Sequence, residues 1–551
     1  MKDVTDSVKA ATTKKGAKKA LTRRWRTSLY ILFTVAIAVY YYIVLPPIHY
    51  ASMQFWTFLF IICASLVIIK LISDGIQAIT LRELPQFNWS YKLLVLPWFV
   101  LGLIFILGQF IFSPLFFAKQ YAGMIDVQMM DFSTDFGETN TKEIPLIDRD
   151  TAIRLGNRKI GALSHLVSQF EAASDYTQVN VRNHPFRVTP LEYAGFFKWL
   201  NNFQEGIPNY LKVDMVTGDV TVETPKQAIR YSDADLFDRD VTRHLRFNYP
   251  FALFDKPSFE IDDEGNPYYI ASTYGRNFFL SEPEVTGLIT LNAMTGETTR
   301  YALADIPTWV DRVYGAELIL HQLKMNGEYK NGFWNSLFAK EGVTMPTEGY
   351  NYLPLNDDMY LYTGITSVAA DESNIGFVLV NMRTKEARMF PVTAAEEFSA
   401  MESAEGSVQE KGYKATFPLL INIKGNPMYI LSLKDSSGLI KSYALIDVQN
   451  YQRVYIDSNV DRLIQQYVND NQLTLNEEEI TEETLVVFAG KIEQIQATVV
   501  DGNTVYYFML DGKVYRAPIQ LSEQLPFVKE GQQVEFKATE DGVVRELEVE
   551  E

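Results

Sequence analysis

Val213-Asp214-Met215-Val216-Thr217-Gly218-Asp219 returns further along the chain as Leu291-Asn292-Ala293-Met294-Thr295-Gly296-Glu297. Both read as an apolar residue, Asp or Asn, two spacers, Thr-Gly and an acid. An Asp or Asn at the start of a turn bonds its own backbone, and Gly supplies the positive φ that a tight turn or bulge requires. Each stretch therefore predicts a hairpin turn between two β-strands. Looser copies are Val380-Asn381-Met382-Arg383-Thr384-Lys385-Glu386 and Ile446-Asp447-Val448-Gln449-Asn450-Tyr451-Gln452, with Lys385 and Tyr451 at the glycine position. A motif recurring at this spacing predicts a repeat architecture.

A second element repeats upstream of the turns. Gly265-Asn266-Pro267-Tyr268-Tyr269-Ile270 and Gly425-Asn426-Pro427-Met428-Tyr429-Ile430 open strands, and Asn356-Asp357-Asp358-Met359-Tyr360-Leu361 holds the matching place in the third copy. Helical spacing precedes the hairpins. Ile153, Gly156, Ile160, Leu163 and Val167 share one face behind Asp148 as an N-cap, and Trp309, Val313, Ala316, Leu320 and Leu323 repeat that spacing behind Asp305 and Pro307. Shorter helices are expected at 394–403 and 459–468. The unit is a helix laid on a small antiparallel meander.

The order of helix, G-x-P-x-[YW]-[IV] strand and strand ending in D-x-x-T-G-[DE] resembles PepSY-type modules, small extracytoplasmic α+β domains of bacteria often joined to membrane spans. Asp214, Thr217 and Gly218, and Asn292, Thr295 and Gly296, carry the likeness; Asn381, Thr384 and Asp447 hold the corresponding places in the looser copies. The resemblance implies binding or regulation of other envelope proteins, proteases included, and not catalysis.

The chain has 551 residues, 47% hydrophobic, with a net charge of -18. Too apolar for disorder and too long for one core, it must divide. Residues 1–118 hold 12 Lys+Arg against 4 Asp+Glu, and residues 119–551 hold 38 against 64. A body this acidic repels phosphate, so nucleic acid is disfavoured as a partner. The one cysteine, Cys63, lies in an apolar run, and the five histidines lack an HExxH spacing. Thiolate zinc sites, disulfides and Cys nucleophiles are thereby excluded from the body, and no metal or cofactor is expected.

Runs 27–45, 55–69 and 93–117 carry no charge and suit a hydrocarbon layer of about 30 Å. The first is too long for a secretory leader and ends at Pro46-Pro47, so it is expected to be retained. Lys2, Lys9, Lys14, Lys15, Lys18, Lys19, Arg23, Arg24 and Arg26 place the N-terminus in the cytoplasm. Three crossings then put everything after Lys119 outside. A large outside domain without cysteine suits a bacterial envelope.

The organisation expected is an N-terminal α-helical transmembrane bundle of three spans, α+β repeats and a small all-β C-terminal barrel. In order these are a basic segment (1–26), the spans (27–118), four α+β units (119–224, 225–304, 305–392 and 393–470), an acidic linker (471–483) and an OB-like barrel (484–551). The barrel reading rests on strands at 505–510, 514–519, 533–538 and 543–549 with Asp-Gly turns.

Candidate chemistry is sparse. The stretch Asp233 to Asp240 has the acids of a calcium loop without its Gly and Glu, and reads as a solvated helix start. A two-carboxylate glycosidase needs one buried and one solvated acid across a cleft, a pairing that sequence does not display. Two aromatic clusters stand out: Tyr193, Phe196, Phe197, Trp199 and Phe203, whose near-helical spacing suits a core, and Tyr329, Phe333, Trp334 and Phe338 in a Gly/Asn-rich stretch. Of these, Tyr329, Phe333 and Trp334 are candidate contacts for a protein partner or peptidoglycan sugar. The leading expectation is a non-enzymatic envelope scaffold or regulator. A cell-wall hydrolase and an oligomeric component of a transport or secretion assembly are the alternatives.

Overall fold

The computed structural model describes residues 24–81, 89–140, 143–355, 357–368, 373–471, 486–500, 503–522, 524–538 and 542–549. The basic run from Lys2 to Arg23, Asn356, the acidic stretch 477–483 and the Asp501-Gly502 turn lie outside them. The chain forms two compact units, Met1–Tyr467 and Val468–Glu551.

The first unit opens with apolar helices. Helices α1 (Arg24–Val44) and α2 (Met53–Leu81) are each long and apolar enough to cross a membrane. A third, α3 (Trp89–Ile111), is followed at a 61° bend by α4 (Pro114–Ala122), and the pair passes the same test if taken as one broken span. Ser113 in extended geometry and Pro114 at the first position of α4 account for the bend.

The remainder of this unit is mostly β. Four antiparallel meanders follow one another, built around strands Thr177–Val181, His184–Tyr193, Tyr210–Asp214 and Val220–Glu223; Ser258–Ile261, Pro267–Asn277, Glu282–Asn292 and Thr298–Ala302; Asn351–Leu355, Asp358–Ser367, Ser373–Asn381 and Ala387–Phe390; and Leu419–Ile423, Asn426–Lys434, Ile440–Asp447 and Val454–Asp457. The first hairpin is tight in the first and fourth meanders: Arg182-Asn183 and Lys424-Gly425 have positive φ at both positions, the geometry whose twist matches the flanking strands. Each sheet follows a helix, respectively Arg149–Gly161, Val241–Asn248, Ala316–Tyr329 and Glu397–Ser407. Asp148 caps the first by accepting from Thr151 N, and Asp240 caps the second by accepting from Arg243 N. The third begins at Ala316, seven residues later than the spacing from Trp309 predicts. Val313 and Tyr314 instead give their N–H groups to Met382 O, which holds that segment extended.

The repeated turn has one geometry in three copies. Asp214, Asn292 and Asn381 each accept from the N–H groups two and three residues on, at 2.8 to 3.1 Å. Thr217, Thr295 and Thr384 accept from the N–H two residues further. Gly218 and Gly296 both take φ +79, and Lys385 takes φ +67 in the same place. In the fourth copy Asp447 still accepts from Gln449 N and Asn450 N, but the loop closes on Arg453, a longer turn that needs no glycine.

Packing joins the sheets into a ring. Leu211, Val213, Tyr269 and Leu291 share one core between sheets one and two; Ile270, Leu288, Leu361 and Val380 share another between two and three; Tyr362, Phe377, Tyr429 and Ile446 share a third between three and four. The fourth sheet returns to the first, where Ser432 Oγ donates to Leu146 O and Lys434 Nζ lies 2.6 Å from Asp148 Oδ2. Sheets one and three also meet, with Gln178 Nε2 donating to Met359 Sδ at 3.5 Å, and Asn180 N donates to Asp311 Oδ2 at 2.6 Å in the segment before the third helix.

The second unit contains two three-stranded sheets, Val486–Lys491 with Gln533–Ala538 and Val544–Val549, and Gln494–Val500 with Asn503–Leu510 and Lys513–Pro518. They enclose Phe508, Tyr515, Leu525 and Phe536 and are linked by an Arg516–Val543 bridge.

Two glycines in equivalent turns make a test. A Cβ on Gly296 falls 2.3 Å from the Tyr231 ring, whereas one on Gly218 makes ordinary contacts with Ile147 Cδ1 at 3.4 Å and Leu155 Cδ1 at 3.5 Å. Both alanine variants incur roughly 1–2 kcal/mol for a left-handed L-residue, and Gly296→Ala adds the clash. Thermal unfolding of the full chain in detergent is expected to show a clearly larger drop in Tm for Gly296→Ala than for Gly218→Ala; equal drops would mean that Tyr231 moves aside freely.

Candidate functional site

Two clefts open on the ring. One of about 260 Å³ lies where the first, third and fourth sheets meet, lined in part by Asp148, Arg149, Arg187, Tyr350, Asn351 and Phe417. Arg187 is buried in the long strand of the first sheet, where among the described residues its guanidinium reaches neutral acceptors, Gln178 Oε1 at 3.3 Å and Tyr176 O at 3.5 Å. Burial pulls its pKa down to about 10, against the pull of Asp148. Burial also opposes ionisation of Asp148, but Lys434 and Thr151 outweigh it and hold the carboxyl below its ordinary value. Its other duty is to cap the first helix, so this cleft is tied to the ring's closure.

The second cleft, about 460 Å³, lies between the first and second sheets and is bounded by Arg182, Lys212, Lys226, Asp263 and Glu264. His184 Nε2 stands 2.8 Å from Asp214 Oδ2, and the Lys212 ammonium lies 4.5 Å from the centre of the Phe186 ring. Asp214 thus serves the turn with one oxygen and His184 with the other. Mixed charge over an aromatic floor suits a peptide or a hydroxyl-rich ligand better than a polyanion.

The acids with the largest shifts line neither cleft. Glu260 is fully buried on the first strand of the second sheet and accepts from Ser258 Oγ at 3.3 Å. Burial pushes its pKa up to about 7, with Arg312 opposing. Asp311 is pushed well above the usual range, first by burial and then by Glu260. Both are enclosed, an arrangement unlike one buried and one solvated carboxyl across a cleft. Asp235 corrects the solvated reading of 233–240. It is buried, accepts from Trp199 Nε1 at 3.2 Å and from Ser232 Oγ at 2.9 Å, and burial raises its pKa to about 6. The helix-start reading applies to Asp240 alone. Among the described residues no group of three or more His, Cys, Asp or Glu is placed to hold a metal ion.

The turn residues Asp214, Thr217, Gly218, Asn292, Thr295, Gly296, Asn381, Thr384 and Asp447 lie at four hairpin ends. Asp214 alone among them reaches a cleft-lining side chain, His184. Trp334 is 62% exposed, while Tyr329 is half-buried with its ring 6.3 Å from that of Tyr121 in α4, and Phe333 stacks beside Tyr329. The first aromatic cluster divides: Tyr193 and Trp199 are buried, but Phe196 and Phe197 face outward. Sequence reading passed over Arg187 and Glu260. The available signal was a charge set between apolar neighbours in a strand, Phe186-Arg187-Val188 and Phe259-Glu260-Ile261.

No known protein family and no curated protein matches the chain. Among solved structures, a levansucrase mutant from B. megaterium aligns over 75% of this chain and 97% of that chain with 8% identity and a TM-score of 0.15. Likeness at that level carries no inference about function.

The buried carboxyl gives a pH signature. A carboxyl whose folded pKa lies above its ordinary 4.5 favours folding while protonated, and that contribution is lost as pH rises through about 7. Glu260→Gln removes the titration and keeps the shape. The variant is expected to melt several degrees above the parent at pH 8 and level with it at pH 4, below the ordinary carboxyl value, read by thermal scans of the full chain. A gap independent of pH would show that Glu260 ionises without cost.

Proposed function

We propose that this chain is a non-enzymatic scaffold or regulator of a bacterial cell envelope. Three spans hold it, α1, α2 and the bent pair α3–α4, with the N-terminus in the cytoplasm and residues 119–551 outside. The observation that carries the reading is how the β-rich body is seated on its helices. Ile48 N, just after α1, donates to Pro250 O at 2.7 Å, Arg243 lies 4.5 Å over the Tyr42 ring, and Gln109 in α3 donates through Nε2 to Phe279 O at 2.8 Å. Two separate helices thus grip the second sheet and the helix before it. A body clamped in this way presents its clefts at a set height and angle above the bilayer, which a scaffold needs and a tethered soluble enzyme does not.

The repeated turns and helix-on-meander units support kinship with PepSY-type modules, whose role is to bind or regulate envelope proteins. On this reading the clefts receive a segment of an envelope protein or of peptidoglycan, and the two small C-terminal sheets form an OB-like barrel. The many buried carboxyls act as structural groups: Glu397 accepts from Tyr362 OH and from Asn374 Nδ2, both at 3.2 Å, and Asp235 holds Trp199.

Topology and partner are tested in intact cells. In a Cys63→Ser background, Ser437→Cys places a thiol on an exposed turn of the fourth sheet. It is expected to react with a membrane-impermeant maleimide before lysis; reaction only after lysis overturns the orientation. A photoreactive residue at Lys226 is expected to give adducts with another envelope component. A ladder of self-adducts favours the oligomeric assembly instead, and peptidoglycan cleavage by the purified chain overturns the non-enzymatic reading.

A further inference from the structure

The body carries three aromatic stretches, 193–203, 247–254 and 329–340, and none of them contains an Asp or Glu. Acids adjoin them, Glu192 before the first, Asp255 after the second and Glu328 and Glu341 on either side of the third, so the acid-free runs are confined to the rings and their nearest neighbours. The charges they do hold are basic: Lys198 beside Phe197, and Lys330 and Lys340 around Trp334 and Phe338. Each stretch turns at least one large ring outward, with Phe197 76%, Phe251 65% and Phe338 73% exposed. Solvent does not ordinarily meet such a set of exposed rings on one protein.

Contacts place all three stretches beside the ends of the apolar helices. The Tyr42 ring, two residues before α1 ends, lies 6.2 Å from Phe247 and under the guanidinium of Arg243. Arg243 Nη1 donates to Phe237 O, the Phe237 ring lies 6.2 Å from Trp199, and Trp199 stacks on Phe196. On the other side Tyr121 in α4 touches Phe278 at 4.2 Å and Tyr329 at 6.3 Å, and the rings continue through Phe333 to Trp334 and Phe338. A run of aromatics therefore leaves each helix end and spreads sideways over the adjoining face of the body.

We propose that this face lies on the bilayer, with Phe197, Phe251 and Phe338 entering the headgroup–acyl boundary of the outer leaflet and Lys198, Lys330 and Lys340 meeting anionic lipid headgroups. The reading rests on α1 to α4 being membrane helices. Aromatic rings with basic neighbours suit that boundary, where an amphipathic ring is half solvated. A sugar ligand would call for rings set around a cleft with polar groups beside them, and none of these three rings lines either cleft. Trp334 is thereby assigned to lipid, not to glycan or a partner protein.

The test uses the full Cys63→Ser chain in nanodiscs with part of the lipid anionic, carrying one nitroxide at Phe197→Cys, Phe338→Cys, Phe60→Cys in α2 or Ser437→Cys. Oxygen partitions into acyl chains and a nickel chelate stays in water. Labels at 197 and 338 are expected to relax at least twice as strongly with oxygen relative to nickel as the label at 437, approaching the label at 60. If 197 and 338 match 437 while 60 stays lipid-like, the docking proposal fails and the membrane reading stands. If 60 also matches 437, the membrane reading itself fails. Dipolar broadening between labels at 338, with neither reagent gaining access, makes the face an interface between copies and overturns the proposal.

Discussion

The ring depends on one backbone residue in each unit, the one after the turn Asp or Asn. Met215 O accepts from Ile147 N, Ala293 O from Arg230 N and Tyr231 N, Met382 O from Val313 N and Tyr314 N, and Val448 O from Ala395 N. In three units its N–H is also spent, on Pro185 O, Pro267 O and Met359 O at the start of the long strand. Each such residue is almost wholly buried, so an unmade bond there leaves a polar group in a dry core. The turn, the long strand and the chain entering the unit's helix are thus fixed to one peptide. The Asx-type cap on the turn matters because it sets the angle at which that peptide is offered.

This explains what was legible in the sequence and what was not. The turns could be read because Asp, Thr and Gly each have a local task, visible without tertiary context. The two residues after the Asp or Asn read as spacers, yet the first is always apolar (Met215, Ala293, Met382, Val448) because it is the buried pin. Lys385 could be mistaken for a lost glycine. It takes the same positive φ, and its ammonium reaches Glu284 Oε1 at 2.7 Å, an attraction supplied from another sheet that no local rule contains. The helix spacing from Trp309 failed for a related reason: the pin at Met382 claims the N–H groups of Val313 and Tyr314 before a helix can.

Candidate sites were less legible than the fold, since they depend on which sheets meet. Arg187 and Asp148 share a cleft edge with Phe417 and Leu431, and Lys434 reaches Asp148, only because the fourth sheet returns to the first. Glu260 and Asp311 are likewise brought into mutual influence by packing around the second sheet, and their high pKa values are a cost of that enclosure. Carboxyls raised by burial often mark active sites, but here the two have lost access to solvent and to the clefts.

The aromatic face follows from the same geometry. A ring of sheets pinned unit by unit has little freedom to tilt, and contacts from α1 and α3 reach the same stretch, 247–279, from two sides. Two grips define a plane where one would leave a hinge. With those helices in a bilayer, as proposed above, the part of the body that adjoins their ends is held at the membrane surface, and a side chain there stays at that boundary. Acids would repel anionic headgroups and would have to be desolvated, so the acid-free runs around the exposed rings of 193–203, 247–254 and 329–340 suit a fixed contact, with Glu192, Asp255, Glu328 and Glu341 at their margins. A body swinging on a flexible tether would need no such runs, because no single face would remain at the lipid.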